Sequence, residues 1–182
     1  MADDPCKLFF ALRPPPKMAT ELDRLRADIR RRMGLTGRAA PQRRLHVSLA
    51  SLGAHAAIPE PLVRRAADAV SGLHAPAFAL AFNRLGTWGR GAGARPVVLW
   101  GDDGVIGAEL LHGTLRQALA AAGVRSGRSA EIAPHVTLWR DTRETPQRFV
   151  APVGWRVEEF VLLAAIRGQG AHEVLGRWRL GG

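Results

Sequence analysis

The chain of 182 residues has one cysteine, two lysines and no long apolar run. With Cys6 alone, an internal disulfide is excluded, and a thiolate metal centre cannot be built on it by itself. No apolar stretch approaches the roughly 18 residues needed to cross a bilayer. The longest candidate, 160–166, is strand-sized. The start, Met1-Ala2-Asp3-Asp4-Pro5, is acidic and lacks the basic and apolar parts of a secretory signal. A cytoplasmic monomer without membrane attachment is the expectation. No low-complexity linker divides the chain, and at roughly 100–200 residues per domain its length fits one domain, 1–182, of two lobes.

What is abundant is arginine. Lys+Arg number 26 against 16 Asp+Glu, for a formal charge of +10, and Lys7 and Lys17 are the only lysines. A phosphate-bearing partner explains such a bias, because the planar guanidinium fork makes bidentate contacts that an ammonium cannot. Codon bias explains it too, since Ala and Gly are also frequent. Net charge speaks to association and leaves the chemistry open.

Lys7 to Leu12 reads as a buried strand closed by Pro14-Pro15-Pro16. In 17–33, Met18, Leu22, Leu25, Ile29 and Met33 recur at helical spacing, arginines fill the other faces as a solvated surface, and Gly34 is the stop. Residues 36–44 read as a loop, 45–52 as an alternating strand, and 60–72 as a helix. Further strands are expected at 78–85, 96–100, 134–140, 157–166 and 173–180, with a helix at 107–122 stopped by Gly123 and a loop at 125–128. This order implies an α+β fold of two halves, each needing helix cover for its sheet.

One internal repeat carries chemistry. Leu45-His46-Val47-Ser48-Leu49 resembles Pro134-His135-Val136-Thr137-Leu138, 89 positions later. Period two puts imidazole and hydroxyl on one face of each strand and the aliphatics on the other. Taken singly, a His-x-Ser on a strand is commonly structural; two in matching strand contexts point to one site. If the halves pair about a pseudo-twofold axis, the four polar side chains converge. Two imidazoles and two hydroxyls suit a phosphodiester, with one His as general base, the other as general acid, and hydroxyls donating to phosphate oxygens. Two histidines without a companion carboxylate or thiolate fall short of the three or four ligands of a metal site.

These motifs resemble the signature of the two-histidine (2H) phosphoesterase superfamily. With Leu8-Phe9-Phe10-Ala11-Leu12, Pro96-Val97-Val98-Leu99-Trp100 and Trp139-Arg140 around them, they are similar to the RNA 2′,3′-cyclic phosphodiesterases of the LigT/ThpR type, also called 2′-5′ RNA ligases. The resemblance runs from about Leu8 to Leu180. It implies a bilobed fold of two pseudo-symmetric antiparallel-rich sheets with outer helices and a central cleft. It also implies metal-independent, cofactor-free hydrolysis of RNA 2′,3′-cyclic phosphate ends to 2′-phosphates, with reverse 2′-5′ ligation as a side activity. On that pattern His135 activates water, His46 protonates the departing 3′ oxygen, Ser48 and Thr137 hold the non-bridging oxygens, and Arg140 supports the phosphate or RNA strand. The chain departs from the family at Ser51, where an aromatic is usual, at Ala39-Ala40, where a tryptophan is frequent, and at Ala164-Ala165 and His172, where Glu-Ser and a later Tyr are common.

Trp88, in a Gly-rich basic turn with Arg90 and Arg95, is a candidate to stack a base, against the alternative of rim or core packing, and Phe9 is a further candidate for substrate or RNA contact. Gly89-x-Gly91-x-Gly93 is no dinucleotide fingerprint, since no helix with a spaced acidic residue follows. His55, His74 and His112 read as surface residues, and His172 as structural, with a position near the cleft as its alternative. The alternatives to an RNA phosphodiesterase are an enzyme for a small cyclic nucleotide or ADP-ribose cyclic phosphate and, in another class, a non-catalytic RNA-binding module.

Overall fold

The computed structural model describes residues 6–127 and 131–181, so the acidic start and the end of the 125–128 loop lie outside the described residues. The first strand, β1 (Cys6–Leu12), buries Leu8, Phe10 and Leu12 and ends at the prolines. Helix α1 (Pro16–Met33) starts on a proline whose missing N–H costs nothing at that position. It stops at Gly34, which takes the left-handed conformation at φ 60° and returns its N–H to the last carbonyls. Leu22 and Ile29 are buried, with Met18, Leu25 and Met33 packed beside the core.

Ten more elements follow in chain order: β2 (Arg38–Ala39), β3 (Val47–His55), α2 (Glu60–Ser71), β4 (Phe78–Thr87), β5 (Arg95–Trp100), α3 (Ile106–Ala121), β6 (His135–Asp141), β7 (Arg148–Val157), β8 (Glu159–Ile166) and β9 (Glu173–Arg179). The strands form one nine-stranded sheet of order β7-β4-β5-β6-β3-β1-β8-β9, with β2 on β6, and every pairing is antiparallel. Its centre is thin: β3 and β6 are joined by the single pair Val47↔Val136. On either side lies a four-stranded half, β3-β1-β8-β9 and β6-β5-β4-β7. In each half a strand, a helix and a motif strand follow in sequence, β1-α1-β3 in one and β5-α3-β6 in the other. This is the expected α+β, two-lobed arrangement, except that the two expected sheets are joined into one through the Val47↔Val136 seam. One apolar cluster runs through both halves, from Phe10, Leu12 and Leu22 to Phe82, Leu99 and Trp139. Each fully buried Leu or Phe adds about 1.5–3 kcal/mol, so joining the halves is favourable despite their narrow backbone seam.

Three expectations are corrected. The 36–44 stretch is not all loop: it holds β2 and a 3-10 turn, Gln42–Arg44. Residues 157–166 are not one strand, because β7 ends at Val157 and β8 begins at Glu159; the rest of β7, from Arg148, lay in no expected element. Pro152 in β7 is tolerated because β7 is an edge strand and the register against β4 is irregular there, between Phe82↔Val153 and Arg84↔Phe149. Finally, the α1 arginines are not uniformly solvated. Arg26 donates to Ala40 O, and Arg30 donates to Gly37 O at 2.5 Å, so two of them hold the β2 segment in place. Among the described residues no helix is long and apolar enough to cross a membrane.

Candidate functional site

Each motif strand alternates until its leucine and then breaks step. The β1–β3 register runs Phe10↔Ala50 then Ala11↔Ser48, skipping Leu49. The β5–β6 register runs Val97↔Trp139 then Val98↔Thr137, skipping Leu138. These are equivalent bulges, 89 positions apart, and a bulge reverses which face the following residues take. Leu49 and Ala50 are both buried, as are Leu138 and Trp139, after which Ser51 and Arg140 are exposed. Without the bulge, alternation would send Arg140 into the core with Val136 and Leu138.

A carbonyl freed by a bulge needs a donor. Leu138 O receives the Ala40 N–H at 3.0 Å, whereas Leu49 O receives Nδ1–H of His112 at 2.8 Å. His112 is therefore no surface residue: it is 5% exposed, and among the described residues its Nε2 has no hydrogen-bond partner. Its tertiary role left no trace in the helical pattern. His74 is exposed as expected, while His55 ends β3 and bonds to Leu52 O at 3.0 Å.

The two halves enclose a cavity of about 1080 Å³. It brings together His46, Ser48, His135, Thr137, Arg140 and Phe9, six of the seven residues singled out from sequence. Trp88 is outside the lining but packs its ring on His135 at 4.6 Å between centroids and on Trp100 at 5.4 Å. Phe9 holds the corresponding place beside His46, at 4.9 Å.

Both histidines are oriented alike. Nδ1 of His46 lies 2.7 Å from Arg44 O, and Nδ1 of His135 lies 2.8 Å from Ala133 O, each a carbonyl two residues back. Since a carbonyl only accepts, each Nδ1 carries the hydrogen and each Nε2 is left for a ligand. Burial holds His46 below its ordinary 6.5, and the charges of His135, Arg44 and Arg13 act in the same direction, against the hydrogen bond to Arg44 O. Burial and these charges thus favour the neutral imidazole at His46.

His172 takes the position near the cleft that the sequence offered only as the alternative to a structural one. Its ring lies 4.9 Å from His46 and 5.5 Å from Phe9, and Nε2 accepts from Arg44 Nε at 3.2 Å. Burial, reinforced by the charges of His46, Arg44 and Arg13, pushes it down to about 3. Among the described residues, no three His, Cys, Asp or Glu side chains gather as a metal-holding group.

The family model described as the 2′-5′ RNA ligase superfamily matches residues 14–169. Among solved structures, Escherichia coli LigT in apo form is 29% identical with a TM-score of 0.74, over 99% of this chain and 100% of that one. The same protein complexed with 3′-AMP gives 26% identity and a TM-score of 0.70, over 99% and 100%. The Thermus thermophilus protein TT0787, 21% identical with a TM-score of 0.72 over 97% of this chain and 98% of its own, shares the fold. No curated protein matches the chain.

Proposed function

Since the chain belongs to the 2′-5′ RNA ligase superfamily, we propose that it hydrolyses RNA 2′,3′-cyclic phosphate ends to 2′-phosphates by two-histidine acid–base catalysis without a metal or other cofactor. 2′-5′ ligation is the same displacement with a 5′-hydroxyl in place of water, forming P–O5′ as P–O3′ breaks. The observation that carries the proposal is the matched pair of imidazoles, each pinned through Nδ1 to a carbonyl two residues back and both lining one cavity.

The roles are these. His135 Nε2 takes a proton from water as its oxygen attacks phosphorus. His46 gives a proton to O3′ as the P–O3′ bond breaks, leaving the phosphate on O2′. Ser48 and Thr137 donate to the non-bridging oxygens, and Arg140 offsets their growing charge. Burial and the neighbouring positive charges favour neutral His46, so the acid role requires proton uptake with the substrate, whose phosphate charge opposes that bias. After turnover His135 holds the extra proton, and exchange with solvent resets the pair. Phe9 and Trp88 flank the two imidazoles and are proposed to give aromatic faces to the substrate. E. coli LigT was crystallised with 3′-AMP, a ligand of the same nucleotide class. Both motifs come from one polypeptide, so a monomer suffices.

The test is turnover of a nucleoside 2′,3′-cyclic phosphate and of cyclic-ended RNA, with 2′- and 3′-phosphate products resolved. Because acid–base catalysis is worth about 10²–10⁴-fold, His46→Ala or His135→Ala should each lose at least ~100-fold while staying folded. A chelator should leave the rate unchanged. Strong inhibition by chelator sinks the metal-free mechanism, and full activity in either variant sinks the histidine pair.

A further inference from the structure

The register that places His135 also defines a row of side chains outside the cavity. His135 pairs with Trp100 across β6 and β5, Trp100 with Arg84 across β5 and β4, and Arg84 with Phe149 across β4 and β7. Residues directly opposite on neighbouring strands point to the same side of a sheet, so these four stand on one face. The adjacent row, Val136, Leu99 and Leu85, is fully buried and takes the other face. Side-chain contacts agree with the register. The Trp100 ring leans over Gly86 of β4, where an added Cβ would meet its Cη2 at 3.2 Å. The Arg84 guanidinium lies over the Phe149 ring, 4.4 Å from its centroid. Of the four residues only His135 lines the cavity, so the row is a shelf leading from the second motif to the edge of the sheet.

Packing does not account for the outer end of this shelf. Phe149 is 68% exposed, and among the described residues it is the one aromatic ring left exposed. It stands on edge strand β7, where proteins commonly place charge to discourage unwanted pairing. Arg84 does not make the shelf strongly cationic, because Asp102 accepts from its Nε at 2.9 Å and offsets its charge. What remains for a ligand is a set of flat faces: the half-buried Trp100 indole, the Arg84 guanidinium plane and the open Phe149 ring. Rings and guanidinium planes spaced along a surface suit the successive bases of a single strand. Three strand spacings of about 4.8 Å put Phe149 about 14 Å from His135, beyond the reacting nucleotide and near those attached to it.

We propose that this shelf is the path of the single-stranded RNA behind the reacting end, with Phe149 as its outermost base-stacking position. The proposal goes beyond the functional reading above and rests on it. The chemistry of the chain end sets the direction. An RNA ending in a 2′,3′-cyclic phosphate continues only on its 5′ side, so the bases on the shelf are those 5′ of the terminal nucleotide. Since Asp102 offsets Arg84, the gain comes from stacking and not from phosphate contacts.

Binding without turnover tests the path apart from the reaction. Adenosine 3′-monophosphate and a single-stranded RNA hexanucleotide ending in a 3′-phosphate are titrated calorimetrically into the wild-type chain, Phe149→Ala and Phe149→Trp. The ratio of the two affinities measures the advantage of length. That advantage should fall about tenfold in Phe149→Ala, as one stacked base is lost, and should be kept in Phe149→Trp. The slope of hexanucleotide affinity against salt should stay the same in Phe149→Ala, because no phosphate contact is removed. A wild type that binds the hexanucleotide no tighter than the mononucleotide overturns the path, whether or not any variant folds. So does an undiminished advantage in a folded Phe149→Ala, or equal wild-type affinity for a duplex of the same sequence, whose bases are not free to stack. Hydrolysis of a nucleoside 2′,3′-cyclic phosphate with no advantage of length refutes the path alone; a Phe149-dependent advantage without hydrolysis refutes the reaction alone.

Discussion

Lowering the pH from 7 to 5 should destabilise the fold through His172, and the size of the effect follows from its surroundings. In the unfolded chain this imidazole takes up a proton near its ordinary 6.5, whereas in the fold it stays neutral until about 3. Between those values the unfolded state binds the extra proton. The contribution is therefore intact above 6.5, declines as the pH falls, and is lost in full near 3. At pH 5 the figure depends only on the unfolded value, provided the folded value lies well below 5. One and a half pH units at about 1.4 kcal/mol each is about 2 kcal/mol. His172 is only half-buried, and solvent screening reduces this to about 1 kcal/mol. The assay is urea unfolding followed by tryptophan fluorescence at pH 7 and pH 5, in the wild type and in His172→Phe. His46 and the carboxylates remain in both proteins and cancel. The difference in unfolding free energy between the two pH values should be smaller in the variant by about 1 kcal/mol. A constant offset is expected besides, since Arg44 Nε loses its acceptor. If both proteins show the same pH dependence, His172 is not held neutral and the cluster around His46 has been misjudged.

Gly37→Ala should loosen the arginine-bearing wall of the cleft. A Cβ there runs into the Arg140 carbonyl and the Asp141 carboxylate, and backbone cannot yield as a side-chain tip does. The cost should be about 1–3 kcal/mol in thermal unfolding, with faster amide exchange at Ala40, and an unchanged midpoint would refute it. His112→Phe keeps the ring volume in α3 but strands Leu49 O without a donor, for about 1–3 kcal/mol. His112→Gln, which can donate to the same carbonyl, should recover part of that loss, and equal stability of the two variants would refute the role of the bond.

The motif strands were legible because period two in Leu45–Leu49 and Pro134–Leu138 is set by local pleat geometry. Adjacent apolar residues, Leu49-Ala50 and Leu138-Trp139, were the only trace of the bulges, and such pairs are equally at home in a regular strand. Two elements escaped for a different reason. β2 is two residues long and exists because the Gly37 N–H reaches Asp141, 104 positions away, at 2.7 Å. β7 carries Pro152 and a largely exposed pattern, and only its edge position makes it a strand. His112 and His172 look like ordinary polar residues until tertiary packing sets them against Leu49 and His46.

The positive charge that dominates the composition divides into parts with different work. On α1, Arg31 and Arg32 reach Asp28 at the surface, where ion pairs add little. Arg26 and Arg30, on the same helix, point inward and bind the Ala40 and Gly37 carbonyls on either side of Arg38. Those bonds, with Asp141 on the Gly37 N–H, hold β2 against β6 and so set Arg38 opposite Arg140. Structural arginines thus build the wall that carries Arg38 and Arg140. Codon bias and a phosphate partner are therefore not rival accounts of the whole +10. Bias suffices for residues such as Arg31 and Arg32; it does not explain why Arg38 and Arg140 pair directly across β2 and β6 beside a two-histidine cleft, with no carboxylate in an ion pair to either among the described residues.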